Sequence, residues 1–199
     1  VVEDRPSRIV VGIGNPGPDY SGTRHNLGFQ VVERVAEDLG LKLGRPFGTT
    51  RKVGKSRWAL GRGPAGTFLL LQPLTYVNLT GKAVARAAAW TGAPAEAIFV
   101  VCDDMNLPLG RIRIRPRGSH GGHKGLLSVG NSLRTWEFPR LRMGIGKPPP
   151  GEEVDFVLGR FLPEEEPLAD KMVGEAARAV SEFLQGEALE SLMNRYNAG

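Results

Sequence analysis

The stretch RIVVGIGNPGPDYSGTRHNLGF, residues 8 to 29, constrains the fold more than any other part of the chain. Its first seven residues form a short apolar run bounded by glycine, the pattern of a buried strand. From 26 to 39, Leu27, Val31, Val32, Val35, Ala36 and Leu39 recur at helical spacing. A strand that leads through a glycine-rich turn into an amphipathic helix must lay that helix on the sheet to which the strand belongs. The alternation continues: SRWALGR and GTFLLLQPL read as strands around the turn Gly63-Pro64-Ala65-Gly66, and the stretch from Asn78 to Trp90 as a second helix. AIFVVCDD is a further buried strand, RIRIRPR a half-exposed one, HKGLLSVGNSLR a short helix and PRLRMGIG a strand ending in glycines. Pro163 and three glutamates open a long amphipathic helix with Leu168, Met172, Ala176, Ala179, Val180, Phe183 and Leu184 on one side. Residues 1–199 are expected to form a single α/β domain, a three-layer sandwich with helices on both faces of a twisted mixed sheet.

Cysteine usage and hydropathy exclude several classes. Cys102 is the only cysteine, so no intrachain disulfide can form. The apolar runs at 68–71 and 97–102 are far too short to cross a bilayer, and no basic segment followed by a long apolar stretch opens the chain. A cytoplasmic location without membrane contact is expected. The net charge of +5 is unevenly spread: residues 111 to 147 hold nine Arg/Lys against the single acid Glu137, leaving 17 basic and 20 acidic residues elsewhere. Such a localised cationic surface calls for an anionic partner.

The arginines in that window form a ladder. On a strand, Arg111, Arg113, Arg115 and Arg117 project to one face about 6.6 Å apart, with Ile112 and Ile114 facing inward. One reading is an edge strand charged against aggregation. The further Lys124, Arg134, Arg140, Arg142 and Lys147 favour a surface that tracks nucleic-acid phosphates. No aromatic-rich base-stacking motif is present, so recognition of helical RNA through its phosphates fits better than base reading.

Gly12, Gly14 and Gly17 match the spacing of a dinucleotide-binding loop, but Pro18 to Ser21 lengthen the loop and the acids at the right distance, Glu33 and Glu37, fall inside the first helix. His25 stands where that helix begins, and the positive end of the helix dipole there favours a neutral imidazole. Asn15, Asn78 and Asp103 each fall just beyond the carboxyl end of a strand, where α/β folds collect ligands. Asp103 can accept the N–H of His25 and fix its tautomer, whereas Asp104 reads as a cap for the turn into MNLPLG. His120 and His123 make a weak zinc pair, and Cys102 inside a strand behaves as a small hydrophobe. No metal or other cofactor is expected. What remains is water activated by a histidine–aspartate pair, with asparagine amides to polarise a carbonyl or hold an oxyanion.

The segments GNPGPDYSGTRHNLGF, QPLTYVNLTG, CDDMNLPLG, GSHGGHKGL and FPRLRMGIG resemble, in order and spacing, the signature segments of bacterial peptidyl-tRNA hydrolase, and the resemblance runs from about Val10 into the C-terminal helices. It implies a monomeric α/β enzyme, without metal or obligate protein partner, that hydrolyses the ester joining a peptide to the 3′ ribose of tRNA and so recycles tRNA from stalled translation. By resemblance, His25 is the catalytic base, Asp103 the acid that orients it, and Asn15 the residue that discriminates blocked from free aminoacyl-tRNA. Tyr20, Tyr76 and Asn78 match positions that contact the 3′ end or the peptide; Arg115 and Arg142 match residues that recognise the 5′ phosphate, with Arg113 beside them on the ladder. The sequence departs from the pattern in three places. Val77 replaces a methionine, Asp103-Asp104-Met105-Asn106 replaces an acidic DELD, and Lys124 replaces an asparagine after His123, which assigns a lysine to the substrate contact there. The family also has an organellar RNA-splicing relative, so binding RNA without hydrolysis is the alternative activity.

Overall fold

The computed structural model describes residues 5–44 and 53–198. Six strands form one sheet: β1 (Arg8–Gly12), β2 (Ser56–Gly63), β3 (Gly66–Pro73), β4 (Ile98–Asp104), β5 (Ile112–Arg115) and β6 (Arg140–Gly144). The helices are α1 (Leu27–Asp38), α2 (Thr80–Thr91), α3 (Lys124–Leu133), α4 (Glu153–Leu158), α5 (Glu166–Gln185) and α6 (Leu189–Tyr196). In space the strands run β2-β3-β1-β4-β6-β5. The inner pairs β3–β1, β1–β4 and β4–β6 are parallel and the two edge pairs antiparallel, which gives the expected mixed sheet.

Strand β1 is buried on both faces. Val10 joins a core with Val31, Val35, Phe99, Met172 and Phe183 beneath α1 and α5, while Ile9 and Val11 join the opposite core with Val84, Val100 and Val129 beneath α2 and α3. This two-sided burial is why its sequence is continuously apolar instead of alternating. After α1 the chain returns on the β3 side of β1, and after α2 it crosses to the β4 side. The carboxyl ends of β1, β3, β4 and β6 therefore open on one edge of the sheet, with a switch in direction at β1.

The glycines of the first turn serve close approach of backbone to backbone. A Cβ on Gly12 would lie 2.2 Å from the Gly28 carbonyl oxygen, and one on Gly28 would lie 2.4 Å from that of Val101. Helix α1 can start this near the ends of β1 and β4 only because both positions lack a side chain. Gly14 likewise makes room for the Phe29 ring.

Several boundaries differ from the sequence reading. The long C-terminal helix starts at Glu166, beyond Pro163, and its Leu168 is 43% exposed, although Met172 to Leu184 face the core as expected. Helix α1 ends at Asp38, which leaves Leu39 exposed. Strand β5 covers only 112–115 of the 111–117 segment. The sequence reading places no helix at α4 or α6; α4 has only six residues, none fully buried, with Phe156 and Val157 half-buried against the core. At the outer side of β5, the Asn197 side chain accepts from the Ile114 N–H at 2.7 Å and donates to its carbonyl at 3.0 Å. This edge is thus closed at Ile114 by a side-chain amide, and the arginines are not needed to guard it there. Among the described residues no helix is long and apolar enough to cross a membrane.

Gly28→Ala should destabilise the fold by about 1–3 kcal/mol or more, because the new methyl group meets backbone that cannot rotate away. Gly174→Ala, in α5 with nothing within 4 Å of the added methyl, should stabilise it by about 0.5–1 kcal/mol. Denaturant midpoints of the two variants against wild type check both signs.

Candidate active site

Three residues in a row after the first turn divide the work of building the site. Arg24, His25 and Asn26 form a single 3-10 turn that leads into α1. Asn26 turns back on the β1 exit loop: its Oδ1 accepts the Asn15 N–H at 2.9 Å and its Nδ2 donates to the Asn15 carbonyl at 2.9 Å. Pinned at both backbone groups, Asn15 accepts the Val77 N–H on its own Oδ1 at 3.0 Å, which leaves its Nδ2 as the donor available to the cleft. The contact uses only the backbone of Val77, so replacing a methionine by valine at this position leaves it intact.

His25 points its Nδ1 at Asp103 Oδ1, 2.8 Å away. The Asp103 side chain closes β4 and is 3% exposed. An ionised carboxylate only accepts, so Nδ1 carries the proton and Nε2 is the bare nitrogen. A second histidine meets the same oxygen: His123 Nε2 lies 3.1 Å from Asp103 Oδ1. His123 caps α3, its Nδ1 accepting the N–H groups of Gly125 at 3.1 Å and Leu126 at 3.3 Å. Those two donors fix the His123 proton on Nε2. The sequence reading weighed His123 only as half of a zinc pair with His120 and missed this role; its one sequence signal is a polar residue between glycines and an apolar helical run.

The electrostatics follow from this geometry. Burial disfavours the His25 imidazolium, but the charge and hydrogen bond of Asp103 outweigh it, and with Lys124 opposing, the pKa still ends above its ordinary value. The dipole argument from sequence thus gives the wrong net direction: the carboxylate dominates. For Asp103, burial would raise the pKa, yet His25 and His123 together hold it well below the usual carboxylate range. Burial pushes the Cys102 thiol up, in keeping with an inert side chain.

His25, Asp103 and His123 place three metal-ligating atoms within 4.8 Å of one another. Coordination by His123 Nε2 would require its proton to leave for Nδ1, where two backbone N–H groups already point. The donor set therefore suits a proton network better than a cation.

A cleft of about 650 Å³ opens over the pair. Asn15, Tyr76, Asn78 and Lys124 line it with His25, so the residues expected at the strand ends do converge. Val154, Val157 and Leu158 of α4 give it an apolar wall. Tyr20 is not part of the lining, but its ring meets Tyr76 edge-on with centroids 6.4 Å apart. Asp104 does cap its turn, accepting the Asn106 N–H at 2.8 Å, and it also holds Arg142 at 3.1 Å. Arg142 sits on the cleft rim, with Arg113 opposite it in register and exposed on the edge strand; Arg115 is exposed likewise. Arg140 departs from the expected phosphate-tracking set. It is wholly buried, stacked on Phe138 and bonded to the carbonyls of Gly118, Ser119, Trp136 and Phe138, so it braces the loop before α3.

Comparison with known proteins agrees with this arrangement. A family model described as peptidyl-tRNA hydrolase matches residues 9–199. The peptidyl-tRNA hydrolase of Moorella thermoacetica is 46% identical over 192 residues, covering 95% of this chain and 97% of its own, and that of Chloroflexus aggregans is 44% identical over 191 residues, covering 95% and 98%. The crystal structure of peptidyl-tRNA hydrolase from Acinetobacter baumannii superposes with a TM-score of 0.87 at 34% identity, over 97% of this chain and 96% of that one. With sequence, family model and fold agreeing along nearly the full length, this chain belongs to the peptidyl-tRNA hydrolase family.

Proposed function

We propose that the cleft hydrolyses the ester between a peptide and the 3′ ribose of tRNA, with His25 as general base. The observation that carries this is the bond from His25 Nδ1 to Asp103, which leaves Nε2 bare within a sheltered cleft. Nε2 takes a proton from a water molecule as its oxygen attacks the ester carbonyl, and Asp103 stabilises the imidazolium that forms. The Asn15 Nδ2, together with Asn78, supplies donors for the tetrahedral oxyanion or the neighbouring peptide amide. The imidazolium then returns its proton to the departing 3′ oxygen, which yields a peptide carboxylate and tRNA with a free 3′ hydroxyl.

Tyr20, Tyr76 and Lys124 bind the substrate's 3′ end, and the α4 wall offers apolar surface to the esterified residue. Arg113, Arg115 and Arg142 take tRNA phosphates along the sheet edge. The enzyme acts as a monomer in the cytoplasm on tRNA released from stalled translation. Release of tRNA from N-acetyl-aminoacyl-tRNA, but not from free aminoacyl-tRNA, tests the assignment; binding of both without cleavage would indicate an RNA-binding protein instead.

His25→Ala should lower turnover by at least ~10²-fold with tRNA affinity nearly unchanged, as read by single-turnover kinetics and filter binding. In wild type, kcat/KM should climb with pH through an acid limb centred above the ordinary imidazole value, since the base works only when deprotonated. Asp103→Asn should both reduce the rate and move that limb to lower pH, because burial then acts on His25 without the opposing carboxylate.

Affinity for tRNA should fall steeply with salt, and Arg113→Ala or Arg115→Ala should each flatten the log–log slope by up to about one unit. Affinity that ignores ionic strength would remove the sheet edge from the tRNA-binding surface.

A further inference from the structure

The residue before the base is a buried arginine that the proposed reaction does not use. Arg24 is 6% exposed, and everything it holds belongs to the segment that starts in α4. Its N–H donates to the Gly159 carbonyl at 3.0 Å, its Nη1 to that of Arg160, and its Nη2 to Glu165 Oε2 at 2.6 Å. The guanidinium lies 4.5 Å from the centroid of the Phe156 ring and 5.0 Å from that of Phe161. The adjoining Thr23 makes a β-bridge to Arg160. Glu165 in turn accepts the Leu162 N–H at 2.8 Å.

Helix α4 needs such an anchor. It has only six residues, none fully buried, and it meets the core only through the half-buried Phe156 and Val157, so a contact from outside the helix adds much to what fixes its position. Yet it supplies the apolar wall, Val154, Val157 and Leu158, of the cleft that His25 also lines, and it packs against the turn that carries His25. We propose that Arg24 is a positioning residue that ties the α4 wall to the turn carrying His25, so that the width of the cleft at the esterified residue is set through Arg24. A planar guanidinium suits this task because it can stack on two rings while its edge bonds a carbonyl and a carboxylate. The two walls of the cleft then move together: one residue holds α4, the next is the base, and Asn26 after it holds Asn15.

The inference rests on the hydrolase reading, and its test separates the two. Arg24→Lys keeps a charge for Glu165 but loses the planar stack and the forked contact. Kinetics on N-acetyl-leucyl-tRNA and N-acetyl-glycyl-tRNA should show KM for the leucyl substrate raised roughly tenfold and that for the glycyl substrate changed less than ~2-fold, because only the former uses the apolar wall. On both substrates kcat and the acid limb of the pH profile should stay in place, since the His25–Asp103 bond is untouched. Amide exchange should quicken in 153–158 and not in α1. Phe156→Leu, which removes a ring and buries no unpaired charge, should reproduce the pattern if Arg24→Lys folds poorly. Unchanged KM on both substrates, or equal losses of kcat on both with a shifted pH limb, would overturn the proposal. Wild-type protein inactive on both substrates would instead overturn the hydrolase reading, and the exchange rates of α4 would still decide the role of Arg24.

Discussion

One buried carboxylate organises the site. Asp103, next to last in the fully buried strand β4, offers a single oxygen to two histidines whose ring centroids lie 5.1 Å apart. A negative charge so enclosed is tolerable only when hydrogen-bonded and matched by donors, and the two imidazole N–H groups meet that need. In doing so they take on fixed tautomers. His25 is left with a bare Nε2 toward the cleft, while His123, held at Nδ1 by the start of α3, cannot turn away. The carboxylate therefore links the turn before α1 to the loop before α3, and both segments line the cleft.

The sheet makes this convergence possible. Asn15 follows β1, Asp103 is next to last in β4 and Asn78 follows β3, and these three strands run parallel with their carboxyl ends on one edge. Gly12 and Gly28 let α1 begin almost on top of the strand ends, which brings His25 within hydrogen-bond reach of Asp103. A bulkier residue at either place would push the base away from its partner. The glycine spacing that resembles a dinucleotide loop thus serves helix placement, and it determines where the histidine stands.

What was legible in the sequence was whatever depends on local pattern. The apolar runs of β1 and β4, the helical spacing in α1 and α5, and the alternation in β5 placed the layers, because burial periodicity is written into neighbouring residues. His25 and Asp103 were legible because each lies at the end of an element, where α/β folds gather function. His123, Asn26 and Arg24 were not, since their partners lie 20, 11 and 141 residues away and no local pattern encodes such meetings. Helix α4 escaped because it is short: six residues give under two turns, too few for its apolar positions to establish a helical period. Arg140 was misplaced because charge alone suggested a surface, whereas four carbonyls and a phenyl ring receive it inside.

Asp103 holds the proton of His25 on Nδ1 and keeps Nε2 as an available base. Nitrogen-15 NMR of the histidine rings across pH tests it most directly. The His25 signal should be that of the Nδ1–H tautomer at neutral to alkaline pH, titrating above the ordinary imidazole pKa, with a downward shift of that titration in Asp103→Asn. A His25 ring protonated on Nε2 in the neutral form, or a titration unmoved by loss of the carboxylate, would contradict it.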